Sequence, residues 1–155
     1  MREMEKGGVA MSADENRAVV QRLWQLFDAF DFAAAADLLA DDFVCEWPQS
    51  AERIRGAKNY IALNSAYPGR WRCTVERTVA EGDTVAAEVR LTYGERTERA
   101  IGFYELRGGK IARETTYWPE PYAAPASRAQ WVEPMEVAWT PSDTSPAVSE
   151  SQPER

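Results

Sequence analysis

Histidine is absent from all 155 residues of the chain. Histidine is the commonest general base and a frequent metal ligand. Its absence excludes serine–histidine and cysteine–histidine nucleophilic catalysis and argues against a haem or zinc site. Cysteine is nearly absent too. Cys45 and Cys73 each fall in a strand-like stretch, and their spacing fits no metal site. Free cysteine in such a place behaves as a small apolar residue. No glycine-rich phosphate loop is present. No run of 18 apolar residues occurs, so no membrane span is expected, and the amino terminus has no apolar stretch of signal length. The resulting expectations are no cofactor, no metal, and a cytoplasmic location.

Basic residues are the scarcer sign, 18 against 25 acidic ones, for a net charge of −7. An acidic surface repels phosphate backbones and anionic lipid, so neither nucleic acid nor membrane is an expected partner. What the chain does have is aromatic mass. Aromatic residues make up 11% of it, and six tryptophans need somewhere to go. A chain of this length fits one domain with a real core.

Residues 1–11 read as a polar leader, 12–134 as the folded domain, and 135–155 as a disordered acidic tail rich in serine and proline. Ser12-Ala13-Asp14-Glu15 matches a capping box. A helix is expected from there to about Phe30, with Val19, Val20, Leu23, Trp24, Phe27 and Phe30 at helical spacing. Asp31 can cap a short second helix that includes Leu38 and Leu39. Phe43, Cys45 and Trp47 then alternate with polar neighbours, as in a strand ended by Pro48. Residues 49–55 read as a polar loop, and Gly56 to about Ser65 as a third helix. After the Pro68-Gly69 turn come four strands, 71–80, 84–93, 97–106 and 110–118, with turns short enough to force antiparallel neighbours. The proline-rich segment 119–134 keeps Tyr122, Trp131 and Val132 and is expected to lie across the domain surface.

Helices followed by meandering strands define an α+β domain. The order also carries a resemblance. Asp41-Asp42-Phe43 before a strand ending in Trp47-Pro48, a helix opening at Gly56, and Gly109-Lys110-Ile111 leading to Tyr117-Trp118 resemble the SnoaL-like branch of the nuclear transport factor 2-like superfamily. The resemblance covers about residues 14–133. It implies a cone-shaped, curved, mostly antiparallel sheet wrapped around three N-terminal helices, with an internal cavity. It also implies a homodimer formed through the outer sheet face. Members include polyketide cyclases, ketosteroid isomerases, epoxide hydrolases and binding proteins, so the fold leaves the function open.

The resemblance also frames the site. Ketosteroid isomerases of this fold use a helix tyrosine and a protonated strand aspartic acid as an oxyanion hole, with a second aspartate before a proline as base. Those positions fall on Leu23, Gly102 and Trp47, none of which supplies the group. The terminal Tyr-Trp pair implies that Trp118, Thr116 and Glu114 face inward, since strand side chains alternate. Val89, Leu91 and Tyr93 do likewise, with Gly102 and Tyr104 opposite.

Glu114 is the candidate catalytic residue. On an apolar face it would be desolvated and its pKa raised. It could equally pair with Arg113-side neighbours or sit at a wet rim. Candidate ligand-binding residues are Trp24, Phe27, Phe43, Trp47, Tyr60, Tyr67, Leu91, Tyr93, Tyr104, Thr116 and Trp118. Trp24, Phe27 and Phe43 also fit plain core. Two readings follow. One is a protein that binds a small hydrophobic or aromatic molecule, with any catalysis driven by a carboxylate. The other is a dimeric interaction module whose own side chains fill the cavity.

Overall fold

The computed structural model describes residues 10–136. Residues 1–9 and 137–155 lie outside the described residues, and with them most of the expected leader and tail. Helix α1 runs Ala13–Asp28, and both arms of its capping box are formed: Glu15 N–H donates to Ser12 Oγ, and Ser12 N–H donates to Glu15 Oε2. Two orphan amides at the helix start are thereby satisfied. Asp31 caps α2, Phe32–Ala36, by accepting from the Ala34 amide. Helix α3 spans Ala57–Ala66 behind Gly56.

Six strands form one sheet: β1 Leu39–Trp47, β2 Glu52–Arg55, β3 Arg72–Glu81, β4 Thr84–Tyr93, β5 Arg96–Arg107 and β6 Lys110–Tyr117. Their order is β2-β1-β6-β5-β4-β3, antiparallel throughout except for the parallel β1–β6 pair. The sheet is therefore open and mixed, with the helices on its inner face. Among the described residues no helix is long and apolar enough to cross a membrane.

Three sequence expectations need correction. Residues 52–55 are not loop: they form β2, which returns along β1 and pairs Ile54 with Cys45. Leu39 is not helical but opens β1, because Asp37 ends α2 and the Leu38 carbonyl accepts from Ile111 N–H in β6. The segment after β6 does not dock its aromatics. Tyr122 and Trp131 stay 77% and 75% exposed. Prolines at 119, 121, 125 and 134 each lack an amide that could pair with the sheet.

The core lies between the inner sheet face and the stripe Val20, Leu23, Trp24 and Phe27 of α1. Two polar ties fix α1 to the sheet. Asn16 is fully buried and donates from Nδ2 to the Gly82 carbonyl in the β3–β4 turn, at 2.9 Å. At the other end, Asp28 accepts two bonds from the Arg72 guanidinium and one from the Cys73 amide. The Arg72 bonds are the main reason the Asp28 carboxyl is held below its ordinary range.

One irregularity positions the site. In β6, Arg113 pairs with Glu105 while Ile111 pairs with Leu106, so Ala112 is an extra residue in a β-bulge. Ile111 faces inward; strict alternation from it would send Arg113 and Thr115 inward as well. The bulge resets the phase, and Glu114 and Thr116 are buried instead.

Candidate functional site

A cavity of about 370 Å³ opens between α1, α3 and the inner sheet face. That falls within the roughly 300–1,000 Å³ of small-molecule sites. Trp24 and Phe27 reach it from α1, Tyr60 from α3, Trp47 from the end of β1, Leu91 from β4, and Trp118 from just beyond β6. Glu114 lies on its floor and is 2% exposed.

The floor is hydrogen-bonded in a connected way. Tyr60 Oη donates to Glu114 Oε2 at 2.7 Å, and the Thr116 hydroxyl donates to Glu114 Oε1. Across the sheet Glu114 sits between Tyr104 on β5 and Cys45 on β1. Trp24 Nε1 donates to Tyr104 Oη at 2.9 Å. Arg113 is not a partner of Glu114, because it points to the outer face and reaches Glu46.

Burial pushes the Glu114 carboxyl above its ordinary value, and the Thr116 and Tyr60 hydrogen bonds pull against that without cancelling it. Burial, and then the nearby Glu114 charge, push the Tyr60 and Tyr104 hydroxyls well up. Cys45 is raised by the same two causes. Cys73, on the cavity wall, is pushed up to about 12 by burial and then by the Asp28 charge, which favours the unreactive thiol over the thiolate. The chemistry available is that of one buried acid and one buried phenol. They can donate to, accept from, or exchange a proton with a group placed between the tryptophans. Among the described residues no cluster of three or more metal-ligating side chains occurs.

Of the candidates from sequence, Trp24, Phe27, Trp47, Tyr60, Tyr67, Leu91, Glu114 and Trp118 lie on the cavity wall. Phe43, Tyr104 and Thr116 do not: they are fully buried in the layer behind it, where Phe43 meets the Tyr60 ring at 4.9 Å. Tyr93 lies outside the wall as well. Its ring stacks on Trp71 at 5.5 Å and covers Gly69, where a Cβ would come within 2.7 Å of it.

The sequence places charged Glu52, Arg53 and Arg55 near the mouth, and Glu52 lies there; the rest of the rim was not foreseen. Trp71, Arg96 and Glu98 form part of it, with Arg96 bonded to Glu98 at 2.8 Å. A signal existed for Glu98 and Cys73. Both are cross-strand partners of Leu91, which was expected to face inward. Phe30 and Phe32 add to the wall from the α1–α2 connection.

Helices lining one face of a curved open sheet around a chamber define a cone-shaped pocket domain. The sequence pattern of the SnoaL-like domain matches residues 20–114, and the chain belongs to that family. It is similar to a candidate ketosteroid isomerase from Kribbella flavida, with 34% identity over 81% of this chain and 93% of that one, and a TM-score of 0.78. A nuclear transport factor 2-like protein of unknown function from Burkholderia xenovorans is 36% identical, over 79% of this chain and 97% of that one, with a TM-score of 0.69. An epoxide hydrolase of M. tuberculosis is 25% identical, over 69% and 84%, with a TM-score of 0.59. No curated protein matches the chain.

Proposed function

We propose that the protein binds a small, largely apolar or aromatic molecule that carries one polar group. The observation that carries this reading is the Tyr60–Glu114 pair on the floor of an open aromatic chamber. Aromatic walls supply affinity, and a few placed polar groups fix orientation. A hydroxyl at the floor would donate to the lone pairs that Tyr60 and Glu114 keep. A chamber filled by its own side chains would have supported a pure interaction module; about 370 Å³ of free volume argues against that.

The test uses 2-naphthol, a flat aromatic with one hydroxyl, in calorimetric titration. Saturable binding is expected at one site per chain. Leu63→Trp, which adds bulk to the α3 wall, is expected to abolish it while circular dichroism remains that of the folded protein. Binding that survives Leu63→Trp would place the ligand elsewhere and refute the reading.

A catalytic role is the second reading, favoured by the upward shift of Glu114 beside a phenol. Glu114 would transfer the proton and Tyr60 would hold the substrate oxygen. The reaction would be cofactor-independent, in keeping with the likeness to a candidate isomerase and an epoxide hydrolase. It would not be the ketosteroid isomerase mechanism, since Leu23, Trp47 and Gly102 stand where its three polar groups are needed.

The outer sheet face supports self-association. Ile101, Phe103 and Tyr117 are 39–48% exposed there as neighbours on β5 and β6. Ion pairs of both signs flank them, including Arg99 with Glu76 and Glu88, and Arg113 with Glu46. An apolar centre between mixed charges is self-complementary about a two-fold axis. Sedimentation velocity is expected to show a dimer, and Phe103→Arg a monomer. A wild-type monomer at micromolar concentration would refute the dimer.

A further inference from the structure

We infer that the ligand of this chamber is a small organic cation, an amine or quaternary ammonium group held against aromatic faces. This rests on the reading that the chamber binds a small molecule, and it names the class.

The charges facing the chamber are unbalanced. Glu52, Glu98 and Glu114 line it, with Arg96 the one basic lining side chain among the described residues. Arg96 is already bonded to Glu98. An anionic ligand would have to approach against these carboxylates. Like charges brought together at such a site repel and disfavour binding. A neutral ligand would leave the imbalance in place. A cation would offset it.

The walls point the same way. Nine of the lining residues are aromatic. An aromatic ring carries negative charge density on its face, and a cation within about 6 Å of the centroid is attracted to it, most strongly by tryptophan. The protein uses this attraction at the chamber's edge. The Arg70 guanidinium lies 4.7 Å from the Phe30 centroid, and that of Arg96 lies 5.8 Å from Trp71. Farther along the wall, Trp47 and Trp118 meet edge to face at 6.4 Å. Among the described residues no arginine or lysine stacks on either ring. They are therefore available to a ligand's cation.

Glu114 completes the arrangement. Its two oxygens accept from Tyr60 and Thr116 and keep lone pairs for an ammonium N–H or for contact with a methylated nitrogen. A cation beside it would supply the opposite charge that this buried carboxyl lacks. The rim acid Glu52 would attract such a ligand toward the mouth.

The discriminating pair is phenyltrimethylammonium and tert-butylbenzene, which have one shape and differ by a nitrogen cation in place of a carbon. Each is titrated calorimetrically into the full-length protein, directly and in competition with 2-naphthol. The cation is expected to bind at least tenfold more tightly, which corresponds to about 1.4 kcal/mol. Glu114→Gln keeps the side chain's volume and is expected to cut that preference severalfold. Leu63→Trp is expected to abolish cation binding. Equal or tighter binding of tert-butylbenzene would overturn the cation inference and leave the binding reading intact. Cation binding that survives Leu63→Trp would belong to the acidic surface and would also overturn it. Failure of all three molecules to bind would remove both readings together.

Discussion

Gly102→Ala is expected to destabilise the protein by about 3 kcal/mol, from overpacking and the loss of a buried hydrogen bond. A Cβ at this position would lie 2.5 Å from Tyr104 Oη and 2.7 Å from two ring carbons. Tyr104 is fully buried, and its hydroxyl accepts from the Trp24 indole. The ring cannot swing away without breaking that bond and disturbing a cavity wall residue. Chemical denaturation should show the midpoint falling with little change in slope. In a Tyr104→Leu background, where the ring is gone, the added cost of alanine should shrink well below its cost in the wild type. Similar costs in both backgrounds would mean that the clash is not the cause. The same geometry excludes an aspartate at this position. Tyr104 occupies the volume that an aspartate would need.

The second large effect concerns charge. Glu114→Gln is expected to stabilise the protein near pH 8 and to have little effect near pH 4. Burial raises the folded-state pKa of Glu114 above its unfolded value. Below the unfolded value both states hold the proton, and the group contributes nothing to the pH dependence. As pH rises from there, the unfolded chain loses its proton while the folded protein keeps it. The folded state then binds more protons, so stability falls with pH until the raised value is passed. Glutamine never ionises and escapes that loss. It can still donate to one hydroxyl and accept from the other. The gain in thermal midpoint should grow across this window and then level off, at about 2–4 °C for each kcal/mol regained in a domain of this size. A difference independent of pH would mean that the Glu114 proton is not linked to folding.

Much of the fold can be read in the sequence because its signals are local. The Ser12–Glu15 box starts α1, and Pro48, Gly82, Gly94 and Gly108 mark strand ends that the structure keeps. What was missed depends on partners distant in sequence. The segment Glu52–Arg55 has one buried residue, Ile54, and its strand character comes from pairing with β1. Leu38 and Leu39 fit a helix stripe or a strand start equally well, and the Ile111 bond decides between them. For the site, tryptophans converging from separate elements were visible as candidates. Which aromatic faces the cavity and which stands behind it was not. Phe43 and Trp47 share a strand face four residues apart, yet α3 covers the first with Tyr60 and leaves the second at the opening. The rim positions of Arg96 and Glu98 follow from the pairing of β5 with β4, which no single stretch of sequence encodes.

The extra residue Ala112 gives the strand a phase, and the phase sets which charge reaches the chamber floor. Paired without the bulge, β6 would deliver Arg113 to the floor and turn Glu114 outward, because one residue of slip exchanges the two faces. The same strand would then place a guanidinium where the chamber floor now holds a carboxyl. A single residue gained or lost just before this point would exchange the two faces of β6 without altering one chemical group in the strand. In this chain, the length of β6 before the bulge decides what the floor offers as firmly as the identity of its residues.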